Sequence, residues 1–219
     1  MRKVLYILLI ICFVFIITFS VNGTTASFPL IGKTIILDSG HGGKDGGAIV
    51  ENIKEKDLNL QITLKIKDEL VNLGANVILT RSDDNDLSDL NATRRKKSDF
   101  NNRIKIINNS HADLYLSIHL NSYENTKYRG PQVFYTKTPK QNKAIAEVYQ
   151  EHLNKFSNSK RKVKINTGKY MYEKLNVPGV LIECGFLTNY FDRTNLQNSK
   201  YQQSLATVIS EATIYYFYN

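Results

Sequence analysis

Short apolar runs alternate with segments of helical periodicity from Lys33 to the end of the chain. Between the runs, residues 55–73 place Leu58, Ile62 and Ile66 at helical spacing, and Gly74 follows as a stop signal. Strands alternating with helices predict an α/β fold, a single domain with a mostly parallel twisted sheet and helices on both faces. The predicted strands are residues 34–37, 75–80, 114–118, 132–136 and 179–182, and the further predicted helices are 99–109, 139–156 and 200–216.

The length, cysteine content and net charge of the chain limit the kinds of fold and partner that it can have. The chain has 219 residues, which suits one domain with a real core. It has two cysteines, Cys12 and Cys184, so neither a disulfide framework nor a cysteine-rich zinc module is possible. The 29 Lys and Arg against 20 Asp and Glu give a net charge of +9. This balance favours an anionic neighbour, which could be nucleic acid, a membrane surface or an acidic wall polymer.

The N-terminal segment is typical of an exported protein. Arg2 and Lys3 precede an apolar run over residues 4–21, and small polar residues follow it over 22–27. Residues 1–26 are therefore predicted to be a signal peptide or an uncleaved membrane anchor, which would allow membrane contact. We expect an extracytoplasmic location, which argues against a nucleic-acid partner. Residues 33–219 form the predicted folded domain.

Side chains that could hold a metal follow the predicted strands. His41, His119 and Glu183 lie where three strands end, and Glu55 opens the first helix beside a glycine-rich loop. Ligands of open α/β sheets bind beyond the carboxyl ends of strands. Two imidazoles and one carboxylate form a common catalytic zinc shell, and a further carboxylate can move the proton of an attacking water. The set predicts metal-assisted hydrolysis of an amide or ester.

Each of these residues also has a structural interpretation. A histidine after a strand is more often structural than a ligand, and glycines around His41 could simply make a tight turn. Glu51 and Asp57 compete with Glu55 as the carboxylate ligand. His111 and His152 are interpreted as surface histidines, and Cys184 as a buried packing residue. The basic clusters at 94–97 and 160–164 are interpreted as solvated loops that could also attract an anionic wall polymer or lipid.

Several motifs, in order along the chain, point to one family. They lie at residues 36–48, 55–60, 74–81, 102–103, 112–122 and 177–189. In these blocks the sequence resembles the zinc-dependent N-acetylmuramoyl-L-alanine amidases, the amidase-3 family of peptidoglycan hydrolases, whose fold is similar to that of zinc exopeptidases. The resemblance covers nearly everything from Lys33 onward.

The resemblance implies roles for the site residues. His41, Glu55 and His119 match the ligands of a Zn²⁺ ion, and Glu183 matches the catalytic carboxylate. The family cleaves the bond between N-acetylmuramic acid and the L-alanine of the stem peptide. The short form of this chain looks most like the sporulation and germination-specific members, which act in spore cortex formation on the way to muramic lactam. Without wall-binding repeats in the sequence, an accessory protein is expected to direct it to peptidoglycan.

Two other functions remain open at this stage. A non-catalytic wall-binding protein of the same fold would account for the positive charge, but it would not need the complete set of ligands. A zinc carboxypeptidase acting on stem peptides would need an arginine to hold the substrate carboxylate, and no motif singles one out.

Overall fold

The computed structural model describes residues 28–219. The predicted signal or anchor at residues 1–26, with Cys12, lies outside this range. Eight strands and five α-helices make up the described chain. The strands are β1 (Thr34–Ser39), β2 (Ile49–Val50), β3 (Ile53–Lys54), β4 (Asn76–Leu79), β5 (Leu114–Asn121), β6 (Gln132–Tyr135), β7 (Lys164–Ile165) and β8 (Gly179–Phe186). The helices are α1 (Glu55–Asn72), α2 (Arg95–Asn109), α3 (Asn142–Ser157), α4 (Tyr190–Leu196) and α5 (Ser199–Tyr218), with a 3₁₀ turn at Tyr172–Lys174.

Six of the strands form one sheet in the order β4-β1-β5-β8-β6-β7. The pairs β4–β1, β1–β5 and β5–β8 are parallel, whereas β6 runs antiparallel to β8. β2 and β3 form a separate small hairpin. The mostly parallel α/β sheet predicted from the sequence is confirmed. Its central strands β1, β5 and β8 end at the same edge, where the histidines were expected.

Helices cover both faces of the sheet, as the alternating pattern predicts. The larger core lies between the sheet and α1, α3 and α5, and includes the fully buried Ile62, Ile145 and Ile209. A smaller cluster on the opposite face joins Ile36 and Leu181 to Ile107 of α2 and to Tyr172. Because both faces of the sheet are buried, the sequences of its strands are continuously apolar and do not alternate between apolar and polar residues.

Some predicted boundaries are wrong. The basic cluster at 94–97, predicted as a loop, gives way to helix at Arg95, so α2 begins four residues before the predicted start at residue 99. β5 and β8 extend beyond the predicted ends, to Asn121 and Phe186. α4, the strands β2, β3 and β7 and the 3₁₀ turn were not predicted.

Within residues 28–219, no helix is both long and apolar enough to cross a membrane.

Candidate metal centre

The two-residue period of the strands places the polar residues of the site on one face of the sheet. Ser117 and His119 alternate with buried apolar residues along β5, and their register partners are Asp38 on β1 and Glu183 on β8. Side chains two residues apart in a strand point the same way. These residues therefore share the α2 face of the sheet, with His119 and Glu183 side by side on neighbouring strands.

The loop after β1 carries His41 in a backbone conformation that few non-glycine residues adopt. His41 has a φ of +61°, and Gly42 and Gly43 beside it also have positive φ. The loop comes so close to the site that it leaves no room for some side chains. A Cβ atom at Gly47 would lie 2.6 Å from Glu55 Oε2, and one at Gly40 would overlap the His119 ring. The glycine-rich sequence is thus explained by close packing around the two histidines.

Two buried arginines hold this loop by its carbonyl groups. Arg103 donates from Nη1 to Ser39 O at 2.7 Å and from Nη2 to His41 O at 2.6 Å. It also pairs with Asp38 at 2.6 Å and with Asp99 at 2.9 Å. Arg81 donates from Nη2 to Gly40 O at 3.0 Å. A charged group satisfied in this way by carbonyls and carboxylates can stay buried, so these contacts fix the backbone that carries His41.

His41, Glu55 and His119 converge on one point. The distance from Glu55 Oε1 is 3.2 Å to His41 Nε2 and 3.0 Å to His119 Nδ1, and one potential ligand atom from each residue lies within 4.8 Å of the others. The Glu55 carboxylate is fixed at the start of α1, because Oε2 accepts from Ala48 N at 2.9 Å and Oε1 accepts from Leu120 N at 3.1 Å. Two imidazole nitrogens and a carboxylate oxygen are donors that suit Zn²⁺.

Each histidine has an outer partner that orients its ring. Asp45 Oδ2 lies 3.0 Å from His41 Nδ1, and the Tyr172 hydroxyl lies 3.2 Å from His119 Nε2. Burial lowers the pKa of His41, but its contacts with Asp45 and Glu55 outweigh burial and raise that pKa to about 9. A carboxylate behind a ligating histidine fixes its tautomer and strengthens it as a ligand. The sequence reasoning assigned no role to Asp45 or Tyr172.

Glu183 lies on β8 as a buried carboxylate next to this cluster. Its side chain is 8% exposed, and within residues 28–219 its Oε2 makes no hydrogen bond. Burial raises the pKa of Glu183, and the nearby Glu55 carboxylate raises it further. A carboxyl group with a raised pKa and a free oxygen is suited to accept and return a proton.

One cavity of about 540 Å³ contains all four predicted residues on its walls. Asn121 and Ser122 line it at the end of β5, and Lys96 and Phe100 line it from α2. Lys169 and Tyr172 line it from the segment before β8. The predicted site residues are thus brought together in one open cavity at the carboxyl-terminal edge of the sheet.

The competing candidates lie outside the cluster. Glu51 pairs with Arg193 at 2.8 Å and Asp57 is exposed, so Glu55 is the carboxylate that faces the histidines. His111 is exposed, and His152 bonds to Val148 O of its own helix. Cys184 is buried in the large core, and burial raises the pKa of its thiol.

Comparison with known proteins gives consistent matches. Residues 35–215 match the family described as N-acetylmuramoyl-L-alanine amidase. The germination-specific N-acetylmuramoyl-L-alanine amidase of Bacillus subtilis is 40% identical over 215 residues, which are 95% of this chain and 91% of that protein.

Solved structures agree with the sequence matches. The CwlD amidase from Clostridioides difficile, solved in complex with the GerS lipoprotein, has a TM-score of 0.80 and 40% identity, covering 84% of this chain and 98% of the other. An N-acetylmuramoyl-L-alanine amidase from Clostridium difficile 630 has a TM-score of 0.75 and 32% identity, covering 84% of this chain and 96% of that one.

Proposed function

Because this chain belongs to the N-acetylmuramoyl-L-alanine amidase family, we propose that it hydrolyses the amide bond between N-acetylmuramic acid and L-alanine in peptidoglycan with the help of Zn²⁺. The observation that carries the proposal is the cluster of His41, Glu55 and His119 beside the buried Glu183. In this assignment the first three residues hold the ion and Glu183 moves the proton. A wall-binding protein without chemistry would have no use for that arrangement.

A zinc ion held there would polarise the scissile carbonyl and lower the pKa of an attacking water. The residues of the chain do the rest. Asp45 and Tyr172 keep the two imidazole rings oriented. Glu183 takes a proton from the water on its free Oε2 and delivers it to the nitrogen of L-alanine as the C–N bond breaks. The water oxygen stays on the lactyl carbonyl, so the products are a muramic carboxylic acid and a free stem peptide.

We further propose that the enzyme works outside the cytoplasm in spore cortex maturation, where it prepares muramic lactam. The support is its similarity to a germination-specific amidase. Residues 1–26 would serve as the signal peptide or membrane anchor. The Clostridioides difficile relative was solved with a lipoprotein bound, which supports an accessory protein for this chain as well.

The Glu183→Gln variant tests the assignment of the proton-transfer role. We expect this protein to keep one zinc per chain and to lose roughly 10²- to 10⁴-fold in hydrolysis, because the amide has the shape of the carboxylate but cannot accept the proton. Metal analysis and muropeptide mass spectrometry give the two measurements. His119→Ala is the control that should lose the metal as well. Near-normal turnover by Glu183→Gln would assign the proton transfer to another group.

A further inference from the structure

A basic groove continues outward from the catalytic cavity. It is lined by Arg94, Arg95, Lys96, Lys97, Phe100 and Tyr170, and its volume is about 610 Å³. Lys96, Phe100 and Tyr170 also line the catalytic cavity, so the two spaces share a wall. A ligand that extends from the reaction centre in this direction would enter the groove.

Most of the positive charge in this basic groove is available to a ligand. Arg95 is engaged by Asp86 at 2.7 Å. Lys96 is 65% exposed, and its Nζ stays 3.6 Å from Asp45, beyond hydrogen-bond distance. Within residues 28–219, Arg94 and Lys97 form no ion pair and both are exposed. Within that part of the chain, the groove therefore presents two cations without an acidic partner, Arg94 and Lys97, and the more loosely paired Lys96 beside two aromatic rings.

A second lysine reaches the cavity from a different segment. Lys169 is exposed and lines the catalytic cavity together with Glu183. Lys96 lies near His41, because both residues contact Asp45. Positive charge is thus supplied near both ends of the reaction centre.

We infer that the basic groove binds the acidic stem peptide, with Lys96 as the principal contact to a carboxylate close to the scissile bond and Lys169 as a second. Charge decides between the two halves of the substrate. The carboxyl group of muramic acid is consumed in the scissile amide and the sugars are N-acetylated, so the glycan half is uncharged. The peptide half keeps free carboxylates. The inference rests on the proposed amidase function and names the part of the substrate that is recognised.

Two substrates that differ by one charge test the inference. N-acetylmuramoyl-L-alanyl-D-isoglutamate carries a carboxylate next to the alanine, and the isoglutamine form carries an amide instead. We expect the zinc-loaded wild type to favour the acid by about tenfold in kcat/KM, the worth of one partly exposed charge-assisted hydrogen bond. In Lys96→Gln the ratio of the two kcat/KM values, acid over amide, should fall to near unity, mainly through a higher KM for the acid form.

Lys105→Gln is the matched control. Lys105 is an exposed lysine on the same helix that lines neither the cavity nor the groove, so this variant should keep the full preference. Equal rates on both substrates in the wild type, or a preference retained in the Lys96→Gln, Lys169→Gln double variant, would overturn the inference.

A binding measurement separates this inference from the proposed function. Calorimetry with the free peptide L-alanyl-D-isoglutamate should give a Kd that rises with salt concentration. The Kd of Lys96→Gln should be several-fold higher than that of the wild type. If neither substrate is hydrolysed but the binding difference is present, the amidase function fails and the groove assignment stands. If the Kd is the same for both proteins, or if a neutral N-acetylated glycan competes for the groove, the groove assignment fails.

Discussion

At the scale of single residues, Gly40 shows how little space the centre leaves. A Cβ atom there would overlap three atoms of the His119 imidazole, so any side chain must displace the ring or the loop that carries Gly40. We expect Gly40→Ala to fold but to bind zinc at least about tenfold more weakly, as loss of ligand positioning commonly does. The measurement is the zinc Kd by chelator competition.

Gly46→Ala in the same loop is the control for that experiment. A Cβ atom at Gly46 would come no closer than 3.3 Å to the tip of the exposed Ile49 side chain. Its zinc affinity should stay close to that of the wild type. Equal affinities in both variants would show that ring position does not limit metal binding.

The sequence pointed to four candidate site residues, which the structure brings together, but not to the groups that support them. His41, His119 and Glu183 follow the apolar runs of β1, β5 and β8, and such positions can be recognised in the sequence. Tyr172 is brought to His119 from 53 residues away, and the tertiary fold alone determines that distance. Arg103 was noted only within a motif, because its contacts with Ser39 O and His41 O depend on how α2 crosses the sheet.

At the scale of elements, the start of α2 illustrates a failure of local reasoning. Arg94, Arg95, Lys96 and Lys97 form a run of like charges, and a loop was predicted for that reason. In the structure they put positive charge at a helix N-terminus, where the helix dipole disfavours it. Asp86 compensates by accepting from Arg95 through both oxygens at 2.8 and 2.7 Å. No pattern within the helix itself reveals this partner, which comes from the preceding loop.

The Asp86–Arg95 pair predicts a pH dependence of stability. Burial alone would raise the pKa of Asp86, but hydrogen bonds from Ser88 and Arg95 lower it to about 2. A carboxylate whose pKa is depressed in the folded protein stabilises the folded state at pH values above its unfolded-state pKa, near 4. That contribution is lost as the pH falls towards 2. Asp86→Asn should therefore lower the free energy of unfolding at pH 7 by up to about 1 kcal/mol, since Arg95 is partly exposed.

The test is urea unfolding of both proteins between pH 7 and pH 2. The difference between them should close as pH falls through the range from 4 to 2. Asp68→Asn, at a carboxylate that is 69% exposed on α1, should show almost no difference at any pH. A gap for Asp86→Asn that stays constant with pH would rule out the ion pair as its source.

At the scale of the whole molecule, the two ends of the described chain are joined to the same core. Leu30 is completely buried and its N–H donates to Leu73 O at 2.9 Å, while the Tyr218 hydroxyl donates to Pro29 O. We expect Leu30→Ala to lower the free energy of unfolding by about 2–4 kcal/mol through the cavity it leaves. Ile31→Ala, at a neighbouring side chain that is 68% exposed, should cost far less in the same urea experiment. Similar losses in both variants would mean that the segment before β1 is not part of the core.

The overall architecture was the most predictable level. Apolar runs buried on both faces and amphipathic helices between them predict a parallel α/β sheet without reference to distant contacts. The antiparallel direction of β6 and the existence of the short β7 were not predicted by that reasoning. Strand direction at a sheet edge depends on how the intervening segments pass around the molecule.

The reaction centre and its rim come from different parts of the chain. His119 and Glu183 are set in central strands that also carry the core, whereas Lys96 and Tyr170 stand on the first turn of α2 and on a surface loop. A change in a central strand endangers folding and chemistry together. A change at the rim alters only which molecules are accepted. Enzymes that evolve from such an ancestor can therefore change their substrate specificity while they keep the same reaction.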